Sequence, residues 1–370
     1  TRYIGVTGVQ TCALPILESP IRHIMLKSFY AKKKVLITGG ASFIGSHLTE
    51  LLVEAGSIVT VVDDLSSGKL AHLDAVRKKI RWIQGDLRDP HLAQKACTGQ
   101  EMVFHLAAAH GGRGYIESHP VECMNNMVLD HTVFNAAAQA AVKKIVFASS
   151  ACIYPTHLQS SHHERLQLKE SDAGFDAPGK AYADGEYGWA KIMGELQLRA
   201  FHKQYGISGI ACRIFTAYGE RENESHAVVA LVAKAVKKLD PYPIWGDGLQ
   251  TRNFTYVKDT VMGLALAGQK LNGFDAINVG VAEHYTILEL MDEIFAHLQW
   301  KPRQIKKELD KPVGVLSRAS DNTKCLQNLG WQPQYSLKEG VQNTIDWYRK
   351  SADLPTNQDL EKLLFERKSA

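Results

Sequence analysis

An apolar run, Val35-Leu36-Ile37-Thr38, breaks into Gly39-Gly40, and Gly45 then falls inside a helical pattern that ends near Glu54. Strand, glycine loop and helix in that order bring backbone amides at a helix start to face a pyrophosphate, which few other arrangements do. Gly39, Gly40, Ser42, Phe43, Ile44 and Gly45 are therefore the expected contacts of a dinucleotide. Ser42 stands where the fingerprint prefers glycine; serine is small and its hydroxyl can donate to a phosphate oxygen, so the loop is expected to tolerate it. A second strand, Ile58 to Val62, ends in Asp63-Asp64, roughly twenty residues after the first glycine. An acid there meets the ribose hydroxyls and repels a 2′-phosphate, so NAD is expected over NADP.

Farther along, Ser149-Ser150-Ala151-Cys152-Ile153-Tyr154-Pro155 precedes a polar loop and then Tyr187-Gly188-Trp189-Ala190-Lys191. Tyr187 and Lys191 are four apart and share a face if helical, and an ammonium beside a phenol favours the phenolate. A free tyrosine, with a pKa of about 10, is a poor base at neutral pH. With a lysine beside it, it can take a proton from an alcohol that Ser150 holds in place. Taken alone, the spacing favours the plainer reading, a surface lysine packed on a half-buried ring. The glycine loop, acid, serine and Tyr-x-x-x-Lys, in the order one fold needs, decide for chemistry.

With these residues in hand, the chain from about Lys33 to Lys350 resembles the extended short-chain dehydrogenase/reductase family of nucleotide-sugar epimerases and dehydratases. Within it, the chain is most similar to the GDP-mannose 3,5-epimerases. The matching segments are His105-Leu106-Ala107-Ala108 leading to Gly111-Gly112-Arg113-Gly114-Tyr115-Ile116, then Ala148 to Pro155, then Gly246-Asp247-Gly248-Leu249-Gln250-Thr251-Arg252. The resemblance implies an NAD-dependent epimerase, with a nucleotide-diphosphate sugar as substrate and Gly112, Gly114 and Ser149 among its contacts. Arg252 and Arg318 match the family's phosphate-binding arginines, and guanidinium groups suit a diphosphate because they bond in pairs; surface salt bridges are the plain alternative. Cys152 matches the acid/base cysteine of the 3,5-epimerases, and Ala151-Cys152 replaces the acidic pair of the 4,6-dehydratases. His226 falls where that pattern has its second acid/base residue, a lysine; a histidine transfers protons near neutral pH as well. Asp86 and Leu87 end the third strand where the family's matching acid faces the adenine, although a turn or cap role suits Asp86 equally. The family further implies a homodimer through helices around Cys123 to Ala141 and Glu186 to Tyr205. A UDP-hexose 4-epimerase and a non-catalytic NAD-binding sensor or scaffold remain the alternatives.

Short β-branched runs at Val35–Thr38, Ile58–Val62, Ile80–Gln84, Met102–Leu106, Lys144–Ala148 and Gly209–Phe215 alternate with helical stretches. That pattern predicts an α/β fold, a Rossmann-type doubly wound parallel sheet over 25–217. A smaller, interleaved C-terminal substrate domain follows over 218–350, with 251–282 returning to the main sheet through Phe254 to Asp259. Residues 351–370 read as a polar, fraying tail. Tyr3 to Ile16 resemble translated sequencing-adaptor read-through, so Thr1 to Ile24 are expected to be a non-native extension, with Met25 as the expected start.

The formal charge of +4, from 43 basic and 39 acidic residues, is too balanced to imply nucleic-acid or membrane partners. No apolar run reaches the span of about 20 residues that a bilayer demands. The six cysteines form no Cys-x-x-Cys pair, so neither a disulfide framework nor a zinc site is suggested and a cytoplasmic setting fits. His157, His162 and His163 cluster in one loop without an acid or cysteine to complete a ligand set, so no metal is expected.

Overall fold

The computed structural model describes residues 19–350 and 356–365. The six expected runs become the strands β1 (Lys34–Thr38), β2 (Ile58–Asp63), β3 (Ile80–Gln84), β4 (Met102–His105), β5 (Lys144–Ser150) and β6 (Ser208–Ile214), and Phe274–Val279 adds a seventh, β7. They form one parallel sheet in the order β7-β6-β5-β4-β1-β2-β3. A parallel sheet needs helical crossovers and cover on both faces. Side chains of β1 alternate accordingly: Val35 and Ile37 enter one buried cluster, Leu36 the other. Helices α1 (Ser19–Tyr30) and α2 (Phe43–Glu54) cover the first face, with Leu26, Tyr30, Leu48 and Leu52 buried against it. Helices α3 (Pro90–Cys97), α4 (Asn126–Gln139) and α5 (Gly185–Tyr205) cover the second through Ala93, Phe134 and Leu198.

The strand order places the site. From β1 the chain steps outward to β2 and β3, then crosses back to β4 and builds the other half. Thr38 at the end of β1 pairs with Val62 on one side and His105 on the other. Connections leaving β1 and β4 therefore diverge, and a crevice opens at the C-terminal edge between them.

Beyond β6 the chain adds α6 (Ala227–Val236), α7 (Val257–Lys270), α8 (Ile287–Leu298) and α9 (Leu337–Lys350). Short ladders stitch this region to itself and to the sheet domain, among them Tyr242–Trp245 with Ile305–Glu308 and Gln167–Leu168 with Ala319–Ser320. Phe254 to Asp259 does not enter the main sheet as expected. Only Thr255–Tyr256 is extended, against Ala217–Tyr218, and α7 begins at Val257; the strand that joins the sheet is β7. The period-2 and period-3.6 patterns overlap in this short stretch, and pairing with Ala217–Tyr218 decides between them.

Ser19 to Ile24 lie within α1, whose Tyr30 hydroxyl donates to the Ala265 carbonyl at 2.7 Å; residues 1–18 lie outside the described residues. Of the expected tail, Asn357–Leu363 forms a helix, α10, with a capping box between Thr356 and Asp359. Leu360 and Leu363 are buried.

Under the C-terminal edge, β6 carries Arg213, buried against Glu195 of α5 at 2.9 and 3.1 Å. The same glutamate accepts from the Ser149 hydroxyl at 2.5 Å. Arg213 also donates to the Glu170 and Ala173 carbonyls, so one ion pair ties β5, β6, α5 and the 170–173 loop together. Removing one partner strands a buried charge. Glu195→Ala is expected to lower unfolding free energy by about 3–5 kcal/mol in chemical denaturation; a loss below about 1 kcal/mol would show that the brace lies elsewhere.

Candidate active site

The crevice holds two adjoining cavities, of about 390 Å³ and about 230 Å³, which share Ser42 and Leu106. At their junction Gly39 has φ +67°, a left-handed conformation that suits glycine, and a Cβ on Gly45 would lie 2.0 Å from the Gly39 carbonyl. Helix α2 can therefore start only against a bare backbone. Gly40 packs beneath this turn, facing Val61, while Phe43, Ile44 and Gly45 line the larger cavity. The Ser42 hydroxyl donates to the Gly39 carbonyl at 2.5 Å and closes the loop on itself.

The smaller cavity takes in Asp63, Asp86 and Leu87 from the ends of β2 and β3. Asp63 is buried and accepts from the amides of Ala41 at 3.0 Å and Leu65 at 2.9 Å. Burial raises its carboxyl, with those amides working against the rise. Asp86 is half-buried and chelated by Arg88, with a closest approach of 2.6 Å, which holds its carboxyl below the usual range. His72 caps the glycine loop through the Ala41 carbonyl at 2.9 Å, and burial pushes its imidazole down to about 4. A glycine cradle with an acid at the end of β2 fits a dinucleotide.

Ser150, Cys152, Tyr187 and Lys191 meet on the larger cavity because β5 ends there and α5 passes over it. The Ser150 hydroxyl accepts from the Cys152 amide at 3.1 Å. Lys191 is buried, its ammonium 4.8 Å from the Phe147 ring centre and 5.9 Å from that of Tyr187. The expected tuning toward phenolate is not what burial does. Desolvation raises the Tyr187 phenol well above its ordinary value, with the Ser150 hydroxyl pulling the other way, and lowers the Lys191 ammonium. Below Lys191 lies a buried chain: Thr38 Oγ1 to His105 Nδ1 at 2.7 Å, then His105 Nε2 to Asp130 at 3.0 Å. Asp130 is the charged group whose field supports the Lys191 ammonium.

Opposite this group stand Arg113, Arg252 and Arg318. Arg318 donates to Asp184 at 3.0 Å, to Gln159 at 2.6 Å and to the Cys152 sulfur at 3.3 Å, while Arg113 reaches Asp184 at 2.9 Å. Burial by itself would raise the Asp184 carboxyl; the two guanidiniums outweigh it and hold it below the usual range. Arg252 donates to the carbonyls of Thr251 and Val313, and burial, with Arg318 adding like charge, pushes it down to about 9. Such a cluster asks for an anion.

His226 caps α6 and lines the same cavity, its Nδ1 3.7 Å from Glu222, whose carboxyl burial raises well above its ordinary value. Gly112 is on the wall, so close to the Ser225 carbonyl that a Cβ would lie 1.7 Å from it. Gly114 is not: it packs under the Leu364 carbonyl, where a Cβ would approach to 2.4 Å. Ser149 touches the cavity, but its hydroxyl is turned to Glu195. Sequence reasoning missed His110, Arg113 as a site residue, Asp184 and Leu364, all on the cavity wall. Asp184 carried the one usable signal, an acid just before a helix, and it reads there as a cap.

The family model described as the NAD dependent epimerase/dehydratase family matches residues 35–280. GDP-mannose 3,5-epimerase 1 of Oryza sativa subsp. japonica is 32% identical over 336 residues, 89% of this chain and 85% of its own. Among solved structures, UDP-glucose 4-epimerase from Thermotoga maritima with UDP-glucose has a TM-score of 0.75 at 26% identity, over 85% of this chain and 98% of its own. A dTDP-glucose 4,6-dehydratase double mutant from Streptomyces venezuelae with NAD bound has a TM-score of 0.78 at 25% identity, over 86% and 97%. With its glycine cradle, Asp63 and Tyr187-Lys191 pair in one crevice, the chain belongs to the NAD-dependent epimerase/dehydratase family of enzymes that act on nucleotide sugars.

Proposed function

We propose that this enzyme is a 3,5-epimerase of the GDP-mannose type, working through a transient keto-sugar. The observation that carries the reading is Cys152, on the wall of the sugar-side cavity beside Ser150 and Tyr187, with its sulfur 3.3 Å from Arg318. Ser150 holds the C4 hydroxyl and Tyr187 takes its proton. Bound NAD supplies the acceptor, and later the donor, of the C4 hydride. The ketone acidifies the C–H bonds at C3 and C5, and Cys152 and His226 exchange protons there. Arg252 and Arg318 hold the diphosphate, and Asp184 keeps Arg113 and Arg318 in place. Residues 25–217 form the cofactor domain in this reading and 218–350 mainly the substrate domain. A cytoplasmic homodimer is its natural setting, supported by exposed Val121, Val128, Trp189 and Tyr205 on neighbouring helices.

Turnover of GDP-mannose in deuterated water is expected to leave deuterium at C3 or C5, read by NMR. Cys152→Ser is expected to slow that exchange far more than C4 oxidation, because a hydroxyl is a much weaker acid than a thiol. Product inverted only at C4 and free of solvent deuterium would establish a 4-epimerase instead, the alternative that His226 in place of the family's lysine leaves open.

Tyr187→Phe is expected to reduce turnover by about a hundredfold or more while cofactor affinity and melting temperature stay close to those of the unmodified enzyme. Activity near that of the unmodified enzyme would move the base to another residue. Asp63 faces the 2′ position with like charge, so NAD is expected to bind more tightly than NADP in calorimetry, and the opposite order would remove Asp63 from that role.

A further inference from the structure

His110 stands at the centre of the sugar side of the crevice, between two residues already given chemical roles. Its ring centre is 4.9 Å from that of Tyr187, tilted by 48°, and 5.1 Å from that of His226, stacked at 26°. All three line the larger cavity, as does Cys152. The seat is held tightly. Gly111 follows with its backbone against Tyr115, and Gly112 lies against the Ser225 carbonyl, next to His226 itself. Behind His226 is the buried Glu222. A line of groups able to carry protons therefore runs from Glu222 through His226 and His110 to the phenol that serves the C4 hydroxyl.

Imidazole is the side chain best suited to both accept and release a proton near neutral pH. A neutral imidazole is a base, and a second imidazole beside it is able to receive what it takes up. His110 is the member beside Tyr187, and the carbons to be inverted flank the carbon whose hydroxyl Tyr187 serves. We propose that His110 is a further catalytic residue, standing between the sugar and His226: it takes the proton from the sugar carbon and passes it on, so the exchange assigned to His226 runs through His110. This rests on the 3,5-epimerase reading above. In the step, the C–H bond next to the ketone breaks, its electron pair moves into the enediolate, and the proton goes to the His110 imidazole. It then moves to His226. The Cys152 thiol delivers a proton to the opposite face of the carbon, and solvent reprotonates the thiolate and discharges the histidine pair, so the balance closes without any other reactant.

The test compares the unmodified enzyme with His110→Gln and His110→Asn, each NAD-loaded and given GDP-mannose in deuterated water. Three quantities are read: deuterium entering C3 or C5, the NADH absorbance formed on mixing, and KM. The proposal expects both variants to lose about a hundredfold in deuterium entry. NADH formation and KM are expected to change by less than about fivefold, because the chemistry at C4 and ground-state binding do not use His110. Deuterium entry that stays unchanged, or that falls only in step with NADH formation, overturns it, the latter showing that His110 merely positions Tyr187. If one variant fails to fold, the other is judged by the same criteria. An unmodified enzyme that inverts C4 without deuterium entry ends the 3,5-epimerase reading and this assignment together; deuterium entry that survives in the variants ends this assignment alone.

Discussion

Every group in the crevice owes its position to the reversal of strand order between β1 and β4. Parallel strands end on one edge, so their C-terminal residues are delivered to the same side, and the reversal leaves a gap where no crossover helix can lie. The glycine loop after β1, Asp63 at the end of β2, the 106–112 loop after β4 and Ser150 at the end of β5 all reach that gap. Helix α5 then runs across β5 and adds Tyr187 and Lys191 one turn apart. The sheet is in turn held by features with no part in the chemistry, the Glu195–Arg213 pair above all, which links β5 to β6 and the loop beyond.

The electrostatics of the crevice are uneven along its length. At the cofactor end, carboxyls from Asp63 and Asp86 face the smaller cavity. At the sugar end, Arg113, Arg252 and Arg318 share Asp184 as their common carboxylate neighbour, although Arg113 also reaches Glu117 on the surface. On a chain of formal charge only +4, this concentration is local and opens inward. Arg252 is the sharpest sign of it, since burial and Arg318 both work against its charge and a bound anion would relieve both. Burial acts on Tyr187 and Lys191 in the same way, favouring the neutral form of each. A charge that enters so buried a site acts on both groups more strongly than it would in water, which is how a preorganised pocket differs from the same residues in solution.

The C-terminal helix α10 ties the far end of the chain to this pocket. The Leu364 carbonyl sits over Gly114, Phe365 packs on Trp245 at 5.3 Å between ring centres, and Leu364 lines the cavity. Composition marks this segment as polar and fraying; Leu360, Leu363, Leu364 and Phe365 with one capping box are enough to seat it once Trp245 and the 113–118 turn offer a surface.

Local sequence by itself determined the sheet strands up to β6, the glycine loop, Asp63 and the Ser150, Tyr187 and Lys191 set, because each rests on short-range periodicity or on fixed spacing along one element. The resemblance added Cys152, Arg252, Arg318 and His226, all of which reach the larger cavity. Tertiary structure decided the rest. Whether Phe254 to Asp259 joined the sheet depended on Ala217–Tyr218 lying beside it. Gly114 moved off the cavity because the Leu364 carbonyl occupies the space above it, and the Ser42 and Ser149 hydroxyls turned inward because Gly39 and Glu195 offered nearer acceptors. His110, Asp184 and Asp130 carry no motif at all. Their significance lies in partners 25 to 134 residues away in the chain, such as His105 for Asp130 and Arg318 for Asp184, and only the folded backbone sets those distances.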